Sequence, residues 1–449
     1  MKHDICECPV SLTSDATLSE WNLMVHAFLA HGTATPHHLG NVLGADPEFA
    51  MGHAARGLFS MMMGRSELVA TAREALSDAK QAQGRQKTTH RERLWVVALE
   101  RWVAGAPSGA VEAMEKVLRN HPTDTLSAKV SHAIRFILGD AHGMRRSIER
   151  VLDAHSDDHA LRGFALGCHA FALEETGDYA RAEAAGRAGL ELAPKDAWGL
   201  HAVAHVYDMT AQPDQGITLI EQNPGTWDHC NNFRYHVWWH KALLHLDRGE
   251  LDVALGLYDA QVRADKTDDY RDISNATSLL VRLELEGLPV GGRWEELADL
   301  AERRIDDGCV VFADLHYMLA LTGAHRSAPQ NAIASRFRRS AAQSDEMACR
   351  YRDPGQTALA GLNAFAEGRY ETAFTNLAAA RPAMQSIGGS HAQRDVFERI
   401  TVDAGLRAGQ LEAAEAILND RLARRAGRAD RFTITRMNSL IHARQIPAQ

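Results

Sequence analysis

The residues best suited to chemistry in this sequence are histidines spaced four apart. His201 and His205 form one pair and His236 and His240 another, and Asp208 follows the first pair. Residues at i, i+4 and i+7 of an α-helix share one face. Two imidazoles and a carboxylate on one face form a ligand set that suits divalent transition metals. One hypothesis is therefore a divalent metal ion held by these five side chains.

The same histidines also fit a polar pocket without metal. Imidazoles titrate near neutral pH, which suits general acid–base catalysis, and His316 adds a fifth candidate to the two pairs. Neither pair contains the Glu of the His-Glu-x-x-His metalloprotease motif, so that mechanism is not supported. The spacing leaves a third interpretation open, in which each ring is buried for structural reasons and bonds to a backbone carbonyl.

Two later stretches add candidate substrate contacts. Asp314 and His316 are two residues apart and do not share a helical face, so a joint role requires Asp314 at the helix entry. A Gly-Gly-Ser turn before a helix leaves free N–H groups that attract anions, although a simple serine N-cap explains the same pattern. Trp239 lies within the second histidine pair, and its ring forms either a pocket wall or ordinary core. The candidate substrate-binding residues are Asp314, Ser390, His391, Arg394, Asp395 and Trp239.

The elements that position these side chains are predicted to be paired helices. Strand-like alternation is nearly absent, whereas Ala, Leu, Glu and Arg recur at helical spacing. Glycine, alanine, leucine and proline recur at offsets of 0, 5, 13 and 17, which are the turn, packing and terminating positions of a tetratricopeptide repeat. The full pattern occurs at Gly105, Ala110, Leu118 and Pro122 and at Gly177, Ala182, Leu190 and Pro194, with weaker copies beginning at Gly249, Gly368 and Gly409. Degenerate copies lie near Gly64, Gly139, Gln212 and Gly292.

Such a repeat must stack because a single helix pair cannot bury its apolar face. The sequence therefore predicts an all-α, tetratricopeptide-repeat-like α-solenoid of stacked antiparallel helix pairs over residues 46–449, capped by an N-terminal segment over residues 1–45. His132, His205 and His316 each lie seven residues before a turn position, at Gly139, Gln212 and Gly323 respectively. A small residue is usual there, so an imidazole requires a rotated helix or an inward space.

Composition narrows the classes of partner. A net charge of −9 argues against a nucleic-acid surface, which needs clustered Lys and Arg. No secretory signal and no run of about 18 apolar residues is found, so we expect no membrane span. The six scattered cysteines do not form a disulfide pattern and favour a reducing cytoplasm. The sequence leaves the oligomeric state open, with a homo-oligomer compatible.

Specific motifs resemble the tetratricopeptide repeat protein 38 family. They are residues 196–208, residues 227–240, Asp314-Leu-His316, and the segment Gly388-Gly-Ser-His-Ala-Gln-Arg-Asp395, and the likeness covers nearly the whole chain. Asp208 stands where the family has a Glu in His-Val-x-Glu, which keeps the carboxylate but shortens its reach. The resemblance implies a superhelix of repeats, and it supplies no reaction.

Two functional hypotheses follow from these residues. In the first, the concave side closes around a His- and Asp-lined pocket for a small anionic molecule, held by Arg394 and the Gly388–Ser390 turn, and His201, His205, His236, His240 and His316 act as ligands or acid–base groups. Hydrolysis of an amide or ester is the reaction this pocket would catalyse, with or without a metal. In the second, a non-catalytic scaffold binds a peptide segment of another protein along an open groove.

Overall fold

The computed structural model describes residues 1–445, which form an almost entirely helical protein. A two-stranded antiparallel hairpin pairs β1 (Lys2–His3) with β2 (Pro9–Val10). The first helices are α1 (Asp15–Leu29), α2 (Thr35–Ala45), α3 (Ala50–Met62), α4 (Ser66–Arg85), α5 (His90–Val103), α6 (Pro107–Asn120), α7 (Thr125–Ile137), α8 (Ala141–Val151), α9 (Arg162–Glu174), α10 (Tyr179–Leu192), α11 (Ala197–Met209), α12 (Pro213–Gln222) and α13 (Pro224–Trp227). The later helices are α14 (Phe233–Asp247), α15 (Leu251–Leu257), α16 (Tyr270–Leu285), α17 (Arg293–Arg303), α18 (Val311–Gly323), α19 (Ser327–Ala341), α20 (Glu346–Arg350), α21 (Gln356–Ala366), α22 (Tyr370–Ala380), α23 (His391–Arg407), α24 (Leu411–Arg424) and α25 (Arg431–Gln445). Short 3₁₀ or π-helical turns occupy Leu152–Ala154, Tyr258–Val262, Tyr351–Gly355 and Arg381–Ile387.

The repeat positions read from the sequence are confirmed by the backbone. The turn glycine of each full or weaker repeat copy lies between two helices and has a positive φ, near +80° at Gly105 and Gly177, which a glycine adopts without steric cost. The alanine five residues later is fully buried in every copy, because a methyl group lets the second helix approach the first. These alanines are Ala110, Ala182, Ala254, Ala373 and Ala414.

The chain forms two compact units, and each is a stack of helix pairs of the tetratricopeptide-repeat-like α-solenoid type. The first unit comprises residues 1–203, 223–234 and 345–347. It contains α1 to α10 and the first half of α11, with pairs such as α3 and α4, α5 and α6, and α9 and α10 packed against each other. One apolar core of this unit joins residues of α6 to α11, among them Met144, Ile148 and Phe171.

The second unit comprises residues 204–222, 235–344 and the described residues from 348 onward. Its helix pairs include α17 with α18 and α21 with α22, and α16 packs against both α18 and α23. Phe374, Leu418 and Phe432 belong to one of its apolar cores. Because α16, α18 and α23 meet, polar side chains on those three helices are brought to one interior.

Three of the predicted turns are placed differently in the structure. Near Gln212 the left-handed residue is Ala211, with φ of +52°. Gly323 is the last residue of α18, and the left-handed residue after that helix is His325, with φ of +55°. A Cβ at Gly323 would collide with the Trp294 ring, so this glycine permits close packing. At the turn before α17 the positive φ lies at Gly287 and Gly291, and Gly292 has an ordinary negative value.

The structure also bears on the predicted boundary at residue 45 and on membrane insertion. The boundary falls at the end of α2, and the segment before it holds the β-hairpin and the first helix pair. Among the helices of residues 1–445, none combines the length and apolar character needed to span a bilayer.

Candidate functional site

The candidate site in the second unit begins with three histidines from two helices. His205 comes from α11, and His236 and His240 come from α14. The ring centroids of His205 and His240 are 4.3 Å apart, and those of His236 and His240 are 4.6 Å apart. One ring nitrogen from each of the three lies within 4.8 Å of the others. One histidine of the first predicted pair and both histidines of the second therefore meet within this unit.

A chain of hydrogen bonds fixes which nitrogen of His236 carries the proton. The backbone N–H of Ser390 can only donate, and it donates to Gln393 Oε1 at 3.0 Å. Gln393 Nε2 must then donate to Asn275 Oδ1, at 2.9 Å, which leaves Asn275 Nδ2 to donate to His236 Nδ1, also at 2.9 Å. His236 is therefore protonated on Nε2, which donates to His240 Nε2 at 3.2 Å.

Burial keeps these imidazoles neutral. His236 and His240 are 8% and 2% exposed. Desolvation, followed by the proximity of His205, lowers the pKa of His236 to about 3 and moves the pKa of His240 well below its ordinary value. Neutral rings are what the relayed hydrogen bonds require, because a protonated His236 could not accept from Asn275.

The same hydrogen bonds bear on whether the cluster suits a metal ion. A histidine that binds a metal through Nε2 carries its proton on Nδ1 and donates it to an oxygen acceptor. His236 has the opposite arrangement, since its Nδ1 accepts from an amide that Gln393 and the Ser390 backbone hold in place. The donor set has the right elements for a divalent metal, but the surrounding contacts of His236 do not fit one.

A buried arginine, Arg282 of α16, lies beside the histidines. Its side chain is 1% exposed and donates to the carbonyl oxygens of Ser278, at 3.1 Å, and Ala392, at 2.6 Å. The nearest carboxylate oxygen belongs to Asp395 and is 3.9 Å away. Asp395 is already bonded by other guanidiniums, with Arg421 Nε at 2.7 Å and Arg399 Nε at 2.6 Å.

The charge of Arg282 is consequently under-compensated. Its Nε–H finds no acceptor among residues 1–445. Desolvation and then the proximity of Arg399 lower the pKa of Arg282 to about 9. A carboxylate partner would instead raise the pKa of an arginine. A buried guanidinium bonded only to carbonyls costs free energy that a bound anion would recover.

Two further polar groups near Arg282 lack partners within the described chain. His316 of α18 is fully buried and donates from Nδ1 to Phe312 O at 2.8 Å, so its Nε2 is an acceptor, and this atom has no donor. Desolvation is the main cause that lowers the pKa of His316 to about 3, and Arg282 adds to it. Trp239 of α14 is fully buried, lies under Arg282 with 5.6 Å between guanidinium and ring, and has an unbonded indole N–H.

A charged cleft reaches the edge of this region. Ala392, which accepts from Arg282, and Asp395, 3.9 Å from its guanidinium, also line the cleft. Asp208 lines it as well, and its carboxylate pairs with the Arg425 guanidinium at 3.4 Å. The other lining residues are Met209, His391, Glu398, Arg421, Arg424 and Arg425.

The Gly-Gly-Ser turn serves its own helix. Ser390 is the N-cap of α23 and forms a capping box with Gln393, which is the structural alternative considered for this motif. Arg394 donates to the carbonyl oxygens of Gly388 and Gly389 in the same turn. The motif thus positions Gln393 for its bond to Asn275.

Asp314 and His201 each contact residues of the unit to which they belong. Asp314 accepts from the Tyr351 hydroxyl at 2.5 Å and pairs with Arg336 at 2.7 Å, so it supports packing beside α19 and does not reach His316 through these bonds. His201 lies one turn before His205 on α11, in the part of that helix assigned to the first unit. There its ring stacks on Phe171, with 5.5 Å between centroids.

Sequence reasoning did not find Arg282, Asn275 or Gln393. A faint signal existed, since Asn275 and Arg282 are seven residues apart and share a helical face. Such a polar pair is also common in ordinary cores. Only the contacts show that Arg282 lacks a carboxylate partner at hydrogen-bond distance.

Comparison with known proteins gives only distant likeness. No protein-family model matches the chain. Similar solved structures include the human IFIT1 dimer with m7Gppp-AAAA, at 12% identity and a TM-score of 0.43 over 97% of this chain and 96% of that chain. Another is the APC/C hetero-tetramer Cut9–Hcn1, at 13% identity and a TM-score of 0.34 over 97% of this chain and 92% of that chain. The oligonucleotide of the first structure and the partner chains of the second belong to those proteins.

Proposed function

We propose that the second unit binds a small organic anion that also carries a hydroxyl group, at a buried site formed by Arg282, His316 and Trp239. The anionic group would accept from the Arg282 Nε–H and from the Trp239 indole N–H. The hydroxyl would donate to the bare Nε2 of His316. The observation that carries this proposal is the buried Arg282 guanidinium, which bonds to two carbonyls and has no carboxylate within hydrogen-bond distance.

Electrostatics supports an anion in preference to a metal cation. Arg282 contributes positive charge next to His240 and His316, and it lowers the pKa of both rings. A cation brought to the same interior would be repelled, whereas an anion would restore the ordinary pKa of Arg282 and reduce the cost of burying it. The charged cleft that ends at Ala392 and Asp395 offers the route from solvent.

Hydrolysis of an amide or ester is a second candidate, favoured by the geometry of His316. Its Nδ1–H is held by a carbonyl and its Nε2 is unoccupied by any donor of the described chain, which is the arrangement of a general base. In such a reaction Nε2 takes a proton from water while the water oxygen bonds to the substrate carbonyl carbon and the C=O π electrons move to the carbonyl oxygen. Collapse of this tetrahedral intermediate then breaks the bond to the amine or alcohol, which leaves with the proton returned by His316 Nε2. A bound anion would raise the low pKa of His316 toward a useful range.

The scaffold alternative and the family assignment remain part of this proposal. A peptide partner would use Lys, Arg and Asn side chains along an open groove, whereas the unsatisfied groups described above are buried. Membership of the tetratricopeptide repeat protein 38 family rests on the motifs quoted earlier and adds no reaction.

Thermal unfolding with a matched pair of probes tests the proposal. Acetate and glycolate differ by one hydroxyl group, and chloride at equal ionic strength serves as the reference. We expect glycolate to raise the Tm more than acetate, because its hydroxyl group adds a hydrogen bond to His316 and so lowers its Kd. A ligand at about 100 times its Kd stabilises the folded state by about 2.7 kcal/mol. Arg282→Met should lower both responses, and His316→Phe should abolish only the difference between the probes.

Arg436→Met is the control variant. Arg436 is a buried arginine of the same unit that already bonds Asp403 and Glu286, each at 2.8 Å. Its loss lowers the Tm but leaves the response to glycolate in place. Equal responses of the wild type and Arg282→Met, or no response of the wild type to either probe, would overturn the proposed site.

A further inference from the structure

The first unit contains a separate group of buried polar side chains with unmet bonding capacity. Lys129 and His132 lie one turn apart on α7, and Trp198 opens α11. The Lys129 ammonium lies 4.2 Å above the centre of the Trp198 ring, and the His132 and Trp198 rings are 5.7 Å apart in an edge-on arrangement. Phe171 packs against both aromatic systems, at 4.5 Å from Trp198.

Each of the three side chains has an open hydrogen-bonding position. Both ring nitrogens of His132, which is 4% exposed, lack partners within residues 1–445, and so does the buried indole N–H of Trp198. Lys129 is 6% exposed, and in the same part of the chain no carboxylate lies within salt-bridge distance of its ammonium. The cation–π contact compensates the buried charge only in part.

We infer that the first unit binds a small monocarboxylate between Lys129, His132 and Trp198. One carboxylate oxygen would accept from the ammonium, and the other would accept from the indole N–H or the imidazole N–H. The apolar part of the ligand would lie against Phe171 and Phe136, whose ring centre is 6.0 Å from that of Trp198. This site uses residues of the first unit alone and is independent of the function proposed for the second.

The charges around the site favour a ligand with a single negative charge over a dianion or a metal cation. Lys129 is one cation, and the nearest acid that interacts with it, Asp196, is 2% exposed. Asp196 holds the N-terminus of α11 through backbone bonds to Trp198 and Gly199. A second cation near His132, Arg135, already pairs with Glu115 and Asp140. A phosphate dianion would therefore face Asp196 with one uncommitted cation to offset two charges, so it is disfavoured. A metal cation is disfavoured because it would lie beside the ammonium.

Indole resonances of the full-length protein test the inference directly. The chain has eight tryptophans, so protein labelled with ¹⁵N-tryptophan gives a simple spectrum, in which Trp198→Phe identifies the Trp198 signal and Trp239→Phe the Trp239 signal. Sodium acetate is titrated against sodium chloride at equal ionic strength. We expect a saturable shift of the Trp198 signal and an apparent affinity at least about tenfold weaker in Lys129→Met.

Binding at the two sites is followed by two different signals, the Trp198 indole for the first unit and the Trp239 indole for the second. Arg282→Met should leave the Trp198 response unchanged, and Lys129→Met should leave the Trp239 response unchanged, so either site can fail without the other. If Lys129→Met perturbs the other indole signals, His132→Phe is the second variant, because it keeps the aromatic packing but removes both ring nitrogens. We expect it, too, to weaken the acetate affinity reported by the Trp198 signal. A Trp198 signal unmoved by acetate, equal affinity in the wild type and in both variants, or tighter binding of inorganic phosphate would overturn the inference.

Discussion

Two buried arginines, one in each unit, show the difference between a guanidinium that the fold has satisfied and one that it has left open. Arg91 is fully buried and bonds Asp4 at 2.6 Å and Asp124 at 2.7 and 2.9 Å. Arg282 is just as buried but bonds two carbonyls. The pKa of Arg91 lies well above its ordinary value despite desolvation, because two carboxylates surround it, whereas that of Arg282 falls to about 9.

This difference separates structural burial from functional burial. The Arg91 network ties the N-terminal hairpin to α5 and α7 and leaves its guanidinium fully paired. Removing one member of such a network strands the opposite charges in the core. At Arg282 the charge has no carboxylate within hydrogen-bond distance, so we expect its removal to relieve a cost, which is the basis of the proposed anion site.

The largest expected effect is the contrast between two arginine substitutions. Arg91→Met should lower the free energy of unfolding by about 3–5 kcal/mol, because it leaves Asp4 and Asp124 buried without a cation. Arg282→Met should change stability by less than about 1 kcal/mol, or raise it. Urea unfolding followed by circular dichroism measures both. Similar losses in the two variants would remove the distinction on which the site depends.

Acid unfolding provides the next test, through His316. Its pKa is about 3 in the folded state and about 6.5 when unfolded, so the unfolded chain binds the proton first as the pH falls. This histidine therefore lowers stability by about 1.4 kcal/mol per pH unit from about pH 6.5 down to about pH 3. His316→Phe should flatten the stability profile over that window relative to the wild type. Parallel profiles would show that His316 is not held neutral.

The opposite sign is expected in the first unit, at Asp196. Burial raises its pKa to about 7 from an ordinary value of 3.8, so the folded chain keeps this proton over a window in which the unfolded chain loses it. Stability falls by at most about 1.4 kcal/mol per unit as the pH rises through that window. Asp196→Asn retains a capping side chain and should remove this loss. A variant whose advantage over the wild type does not grow between pH 4 and pH 7 would contradict the assignment.

A smaller effect concerns the hydrogen-bond chain to His236. Asn275→Asp replaces the donor at His236 Nδ1 with an acceptor and should move the proton from Nε2 to Nδ1. The new carboxylate–histidine contact suits a metal ligand, so the affinity for Co²⁺ should rise by about 10- to 100-fold over the wild type. The visible spectrum of bound Co²⁺ reports it, with Asn275→Leu as the matched control. A wild type that already binds Co²⁺ as tightly as Asn275→Asp would reinstate the metal hypothesis.

The parts of the molecule that follow local rules were predictable from sequence. Gly105 and Ala110 specify a turn and a close helix contact within one repeat, and both occupy those roles. The Gly-Gly-Ser motif was also local, and its capping alternative is the one observed. The anion-binding role expected for Arg394 stays a prediction, and its guanidinium donates to the carbonyls of its own turn.

The sequence could not predict which polar groups of the site lack hydrogen-bond partners, because this depends on contacts between distant helices. Whether Arg282 is paired depends on where α23 places Asp395, over a hundred residues away, and on Arg399 and Arg421, which bond that carboxylate. The proton position on His236 likewise depends on a relay that starts at the Ser390 backbone. Spacing predicts which side chains share a helix face, but it carries no information on which bonds remain unmade between helices.

The most direct test of the account is the guanidinium resonance of Arg282 itself. In protein labelled with ¹⁵N-arginine, the Nε–H signal that disappears in Arg282→Met belongs to this residue, and the signal lost in Arg436→Met serves as the internal control. The account predicts a saturable shift of the Arg282 signal on addition of glycolate, with the Arg436 signal unmoved. An Arg282 signal that does not respond, or one that moves together with that of Arg436, would contradict it.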